Sequence, residues 1–224
     1  MYADDVVLMA PSAKGLQRLI DICYQYGKDH NIKFNSLKSV YMVVYKGRKV
    51  KVNSLPQLYI GDQTLKMVDK CKYLGHVMCS NLSDSDDIQR QIRELYVNAN
   101  MLTRKFSLCS DNVKILLFKM YCTPLYCSSL WSNYTKYMFS RIRVAYNNSL
   151  RLLLCRPRCC SASQMFTECN VLTLECNVRK HRGNLLKRLS SSTNMYVKCL
   201  TSLDRVVSSR FLTIVHRDLY TIYM

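Results

Sequence analysis

The stretch Tyr2-Ala3-Asp4-Asp5-Val6-Val7-Leu8-Met9 decides how the rest of the chain is read. Two adjacent carboxylates stand directly before four apolar residues. A short apolar run rich in valine predicts a buried strand, and Pro11-Ser12 ends it. Adjacent carboxylates repel one another unless a cation offsets them. A turn exposing both beside a basic surface is suited to hold Mg²⁺ and orient phosphates. Asp is also common in plain turns, so the pair gains weight only from its surroundings.

Working outward, Ser12 is placed to cap a helix whose residues Leu16, Leu19, Ile20 and Cys23 recur on one face, with Gly27 as its stop. Extended pieces follow at Ile32-Lys33-Phe34 and Val40 to Tyr45, and Gly47-Arg48-Lys49 reads as a turn. Leu58-Tyr59-Ile60, Gly61-Asp62 and Gln63-Thr64-Leu65 read as a hairpin, and Tyr73 to Met78 as one more strand. From Ser83 the texture becomes helical. Ile88, Ile92, Leu95, Tyr96, Ala99, Leu102 and Phe106 form one long apolar stripe, expected to be core. Asp111 is placed to cap a second helix through Leu116, Leu117 and Met120, and Pro124 breaks the pattern. Further helices are expected at 134–154, 162–169, 174–190 and 209–220.

The chain has 224 residues, with 33 Lys and Arg against 15 Asp and Glu, a net charge of +18. A hydrophobic content of 49% excludes a disordered tail and supports a real core. No apolar run approaches the roughly 18 residues of a membrane span. Asp4 and Asp5 stand where a secretory signal would carry basic and then apolar residues, so the protein is expected to be intracellular, nuclear or cytoplasmic, and not secreted. The large positive excess makes nucleic acid the leading partner. The 12 Cys are expected to be reduced thiols, mostly small buried groups. Cys155, Cys159, Cys160, Cys169, Cys176 and His181 crowd together without a CxxC pair, so zinc is not expected there.

Tyr2-Ala3-Asp4-Asp5-Val6-Val7-Leu8 resembles the central catalytic motif of reverse transcriptases. The resemblance continues in order. The helix at 12–27 resembles the palm helix after that motif. Asn35-Ser36-Leu37-Lys38-Ser39 resembles the Asn-x-x-Lys-Ser/Thr element, and Lys72-Tyr73-Leu74-Gly75 the Tyr-Leu-Gly turn leading into the thumb. Leu125-Tyr126 with Trp131 resembles the aromatic block after the thumb helices. The order is most similar to LINE-type retrotransposons, which lack long terminal repeats. It covers residues 1 to about 155 well and the rest loosely.

The resemblance implies an α+β fold: a partial palm of antiparallel strands with one helix over 1–80, a helical thumb over 81–155, and a helical extension over 156–224. It implies RNA-directed DNA polymerase activity, with an RNA template, a DNA primer and deoxynucleotides as partners, and no membrane. Asp4 matches a Mg²⁺ ligand and Asp5 its neighbour. Lys38 matches a lysine that assists the pyrophosphate by charge or as a general acid. Tyr73, Leu74 and Gly75 match the primer grip. Arg90, Arg93, Arg104 and Lys105 lie on the helix that tracks the template–primer backbone, where basic side chains neutralise phosphates. Arg141, Arg143, Arg151, Arg156 and Arg158 extend that basic surface.

Departures from the pattern carry their own expectation. The family places another essential Asp, and its fingers, upstream of the Asp-Asp motif, whereas this chain begins at the motif. The expectation is a truncated polymerase, inactive alone. The alternatives are a non-catalytic basic nucleic-acid-binding module and a fossil reading frame without a selected function. Smaller departures are Cys127, where relatives often have Gly, and His30-Asn31-Ile32, where they often have Gly-Leu.

Overall fold

A computed structural model describes residues 4–45 and 56–202, the last three by their backbone only. The fold is mixed α+β and divides into two compact units. One is Met1–Tyr73 with Met78–Leu82, and the other Leu74–Val77 with Ser83–Met224. The turn Gly47-Arg48-Lys49 and the helix expected at 209–220 lie outside the described residues.

In the first unit, α1 spans Ala13–Asp29. Ser12 caps it, its hydroxyl accepting from the Gly15 amide at 3.1 Å. Gly27 does not stop the helix. It is buried inside it, where a Cβ would lie 2.8 Å from the Ile32 carbonyl oxygen. The stop is Asn31, with φ 55°, and the Ile32 amide returns to the Gly27 carbonyl at 2.7 Å. This is a Schellman ending with Asn in the left-handed position.

Short strands follow. β1 (Val40–Tyr41) pairs with β4 (Lys66–Met67), and β2 (Tyr59–Ile60) with β3 (Gln63–Thr64). The β2–β3 hairpin pairs Ile60 with Gln63 around Gly61, at φ +59°. The β1–β4 pair is parallel, a departure from the antiparallel set expected. Gln17 clamps β2 to α1, accepting from the Tyr59 amide and donating to its carbonyl, both at 2.9 Å. The small core is Ile20, Leu58 and Leu65, with Leu8, Ala13, Leu16, Tyr41 and Ile60 against it.

The segment expected as a buried strand after Asp5 is neither. Residues 6–10 pair in no sheet, Val6, Val7 and Met9 are exposed, and only Leu8 reaches the core. Ile32-Lys33-Phe34 is likewise unpaired in any sheet.

β5 (Lys70–Tyr73) and β6 (His76–Cys79) form a hairpin around Leu74-Gly75, so Tyr73 to Met78 is two strands and a turn rather than one strand. A two-residue connection makes the pair antiparallel.

The second unit is helical: α2 (Ser85–Lys105), α3 (Asp111–Tyr121), a 3₁₀ turn (Ser128–Leu130), α4 (Lys136–Leu153), α5 (Ala162–Glu168), α6 (Leu174–Ser190) and α7 (Met195–Ser202). Ile88, Ile92, Leu95, Ala99 and Leu102 of α2 are buried as the stripe predicts, while Tyr96 is exposed. On α3 the apolar Leu116 and Met120 are exposed, and Phe118 and the stem of Lys114 are buried. Trp131, Tyr146, Leu150, Phe166, Leu174 and Val178 join the same core, so helices on both sides of residue 155 share it. The cysteines depart from expectation. Cys79 and Cys122 are buried, but Cys155, Cys159, Cys176 and Cys199 are exposed, on turns and outer helix faces. Burial pushes the Cys122 thiol up to about 12.

Candidate nucleic-acid and polymerase site

Asp4 lies in a turn and Asp5 follows it, and both are exposed. Neither carboxylate has a hydrogen-bond or ion-pair partner among the described residues. Such oxygens suit a hard cation that retains several waters. Among the described residues, no group of three or more His, Cys, Asp or Glu side chains could hold a metal ion.

Lys38 is exposed at the end of a turn built by Asn35. The Asn35 side-chain oxygen accepts from the Lys38 amide at 3.1 Å, and its carbonyl accepts from the Ser39 amide at 2.9 Å and the Ser39 hydroxyl at 2.8 Å. Asn, Lys and Ser at this spacing therefore have a local reason. The Asn side chain caps the turn by accepting from the amide three residues on, Ser ties it off, and Lys is left facing solvent. Ser36 hydrogen-bonds Gln63. Lys38 precedes β1, whose Tyr41 packs on the core that Leu8 also joins. Asp5 and Lys38 thus each stand three residues before a contact with one small core.

Leu74 and Gly75 of the Tyr-Leu-Gly turn belong to the second unit. Leu74 and Gly75 have φ of 47° and 82°. Two consecutive positive φ values are the geometry of the tight hairpin turn that matches strand twist. Leu pays about 1–2 kcal/mol there, and Gly nothing. Tyr126 covers the turn, its hydroxyl donating to the Leu74 carbonyl at 2.5 Å. A Cβ on Gly75 would stand 3.0 Å from the Tyr126 ring. Tyr73 is half-buried at the end of β5.

Beneath the turn lies Asp87, fully buried. It accepts from the Trp131 indole at 2.8 Å, the Arg90 guanidinium at 2.8 Å and the Val77 amide at 3.1 Å. Burial alone would raise its pKa. The hydrogen bonds from Arg90, Trp131 and Val77, with the guanidinium charge, instead hold it below the ordinary carboxylate value. His76 Nε2 stands 3.6 Å from the same carboxylate. Asp84, one turn earlier, accepts from the Ser132 and Asn133 amides at 2.7 and 2.6 Å, yet burial outweighs these bonds and raises its pKa.

Arg90, expected among the phosphate contacts, is spent on this network. It bonds Asp87, Glu94 at 2.7 Å and the Tyr126 carbonyl at 3.4 Å, and is largely shielded from solvent. Arg93, Arg104 and Lys105 are exposed, with no ion-pair partner among the described residues. Of the further arginines, Arg141, Arg156 and Arg158 are exposed, whereas Arg151 bonds Asn148 and the Cys160 carbonyl, and Arg143 approaches Glu175 at 3.5 Å.

Sequence reasoning missed Asp87. Asp86 and Asp87 stand side by side at the start of α2, where acidic residues are common, and only the apolar neighbour Ile88 hints that Asp87 turns inward. His181 does not join the cysteines around it. Its Nδ1 lies 2.8 Å from the Ser128 hydroxyl, and burial lowers its pKa. No helix among the described residues is long and apolar enough to cross a membrane. No protein-family model, curated protein or solved structure matches the chain.

Proposed function

We propose that the chain is the palm-and-thumb part of an RNA-directed DNA polymerase of the LINE type, acting on a DNA primer paired with an RNA template. The observation that carries this reading is the packing of Tyr126 on Leu74-Gly75. Two blocks, each resembling a separate family motif and 52 positions apart, meet in one constellation. Two of the departures support the reading as well. Asn31 and Cys127, in segments where relatives often have Gly, have φ of 55° and 63° here, the backbone that Gly favours.

In this reading Asp4 and Asp5 hold Mg²⁺, as exposed unpaired carboxylates suit it. When bound, the ion supplies charge to a primer 3′-oxygen and to leaving phosphates. Lys38 offers a solvent-facing ammonium to the pyrophosphate as a point charge. The Tyr73-Leu74-Gly75 turn presents a fixed backbone edge to the primer. Arg93, Arg104 and Lys105 neutralise phosphates. Two adjacent carboxylates are fewer than a two-ion site takes, so synthesis requires a further carboxylate from outside the described residues.

The test is primer extension on an RNA template with deoxynucleotides and Mg²⁺, for the chain alone and joined to any polypeptide encoded upstream. The expected result is Mg²⁺-dependent synthesis only in the joined form, abolished by Asp4→Ala. Synthesis that survives Asp4→Ala overturns the reading. A second reading, a non-catalytic nucleic-acid-binding module, is favoured by the unpaired exposed Arg93 and Arg104. It is supported instead if duplex binding is strong and no form extends a primer.

A further inference from the structure

Where α2 and α4 pack, they leave a groove of about 380 Å³, lined by Ile92 and Tyr96 from α2 and by Tyr137, Ser140, Arg141 and Val144 from α4. Ile92 is buried and forms part of the floor, while Tyr96 and Tyr137 are 38% and 69% exposed. A tyrosine as open as Tyr137 contributes little to the core, so its ring is free to meet something else. The Arg141 guanidinium sits 5.8 Å from its centroid, which sets a cation against one side of the ring.

The helical period places charge beside these rings. On α2, Arg93, Asn100 and Arg104 fall on the arc next to Tyr96 and turned away from the core, since three, four and eight positions bring side chains to neighbouring faces. Arg93 and Arg104 are eleven residues apart, about 16 Å along the axis. The groove therefore has exposed aromatic rings at its walls, with Arg93 and Arg104 beside it on α2 and Arg141, which also touches the Met138 sulfur at 3.7 Å, on α4. The nearest acid on the α2 arc, Glu94, is engaged by Arg90.

We propose that this groove binds single-stranded nucleic acid, with unpaired bases stacked on Tyr137 and Tyr96 and phosphates on Arg93, Arg104 and Arg141. This rests on the nucleic-acid reading above and adds a substrate class to it. Duplex bases are covered by their neighbours and offer no face to a tyrosine, whereas every unpaired base does. An acidic peptide would satisfy the arginines but leave both rings without a planar partner. Binding by stacking tolerates any base, so little sequence preference follows.

The experiment is fluorescence anisotropy of the full chain with three probes of equal length: a mixed-sequence single-stranded RNA, a blunt RNA–DNA duplex, and an abasic sugar–phosphate strand. Single-strand affinity is expected to exceed abasic affinity. Tyr137→Ala is expected to weaken single-strand binding about 5- to 150-fold, the range for one lost base stack, and to leave duplex binding unchanged. Tyr137→Trp is expected to restore it, which a merely structural role would not do. Equal loss on single strand and duplex, no loss on either, or equal affinity for the abasic strand overturns the groove. In those cases intact duplex binding that falls with Arg93→Glu leaves the polymerase reading standing. Absence of binding to all three probes removes both.

Discussion

Asp87 shows how one buried side chain can hold a turn that is remote in sequence. Its carboxylate joins Val77 on the hairpin, Arg90 on its own helix and Trp131 beyond the 3₁₀ turn. Removing one partner of a buried charge network leaves the other uncompensated. Asp87→Ala is therefore expected to cost roughly 3–5 kcal/mol by urea denaturation at pH 7. Asp87→Asn should cost less, because the amide oxygen still accepts a hydrogen bond. The sign with pH follows from a folded pKa held below the ordinary 3.8. This stabilisation is present above that value and is lost as pH falls through the lower folded one. The gap between wild type and Asp87→Asn is thus expected to persist from pH 7 to about 4 and to narrow as pH falls further, and a gap that widens on acidification would refute the assignment. Asp84 works the other way, its raised pKa costing stability as pH rises through it. Backbone strain yields a second residue-scale prediction. Cys127 has φ 63°, so Cys127→Gly is expected to stabilise by about 1 kcal/mol, read as a rise in melting temperature. None of the Asp87 network was legible in sequence, because adjacent aspartates at a helix start look alike until the helix is rotated onto its core.

At the scale of elements, periodicity was a good guide where a helix has one neighbour-rich face. The stripe on α2 matched its buried set except at Tyr96, which is exposed, and at Phe106, which is half-buried, and the expected 174–190 helix is α6, Leu174–Ser190. It failed on α3, which is apolar on more than one side, so spacing could not say whether Leu116 or Phe118 faces inward. The two helices make a direct comparison. Leu95→Ala on α2 is expected to cost 2–5 kcal/mol, since Leu95 is fully packed. Leu116→Ala on α3 is expected to fall within about 0.5 kcal/mol of wild type, both by chemical denaturation. The strands were the least legible elements. Val6-Val7-Leu8-Met9 has the composition of a buried strand, yet among the described residues it forms no strand. A strand is defined by its neighbour's hydrogen bonds, which composition does not supply. The β2–β3 hairpin was readable because Gly61-Asp62 specifies its own turn. The parallel β1–β4 pair was not, because its two strands are remote in sequence.

At the scale of the whole molecule, the two units have cores of very different size, three buried residues against nineteen among the described residues. Amides of α1 and the short strands are therefore expected to exchange with deuterium well before those of α2 and α4, a difference that hydrogen-exchange mass spectrometry resolves by peptide. Uniform protection across both would refute it. The charge of +18 predicts nucleic-acid affinity that falls steeply between 50 and 200 mM salt, and Arg93→Ala or Arg104→Ala should each lower the slope of log affinity against log salt by about 1. Arg90→Ala should lower stability instead. The sequence by itself determined the order of the motif-like segments, the positive charge and the positions of α1, α2, α4 and α6. All of these depend on residues close along the chain or on composition. Only the tertiary structure decided which arginines remain free, that Tyr126 covers the Leu74-Gly75 turn, and that Tyr96 and Tyr137 flank one groove. Those depend on which helix face meets which neighbour, and that is settled by burying large side chains far apart in sequence around Trp131 and Tyr146.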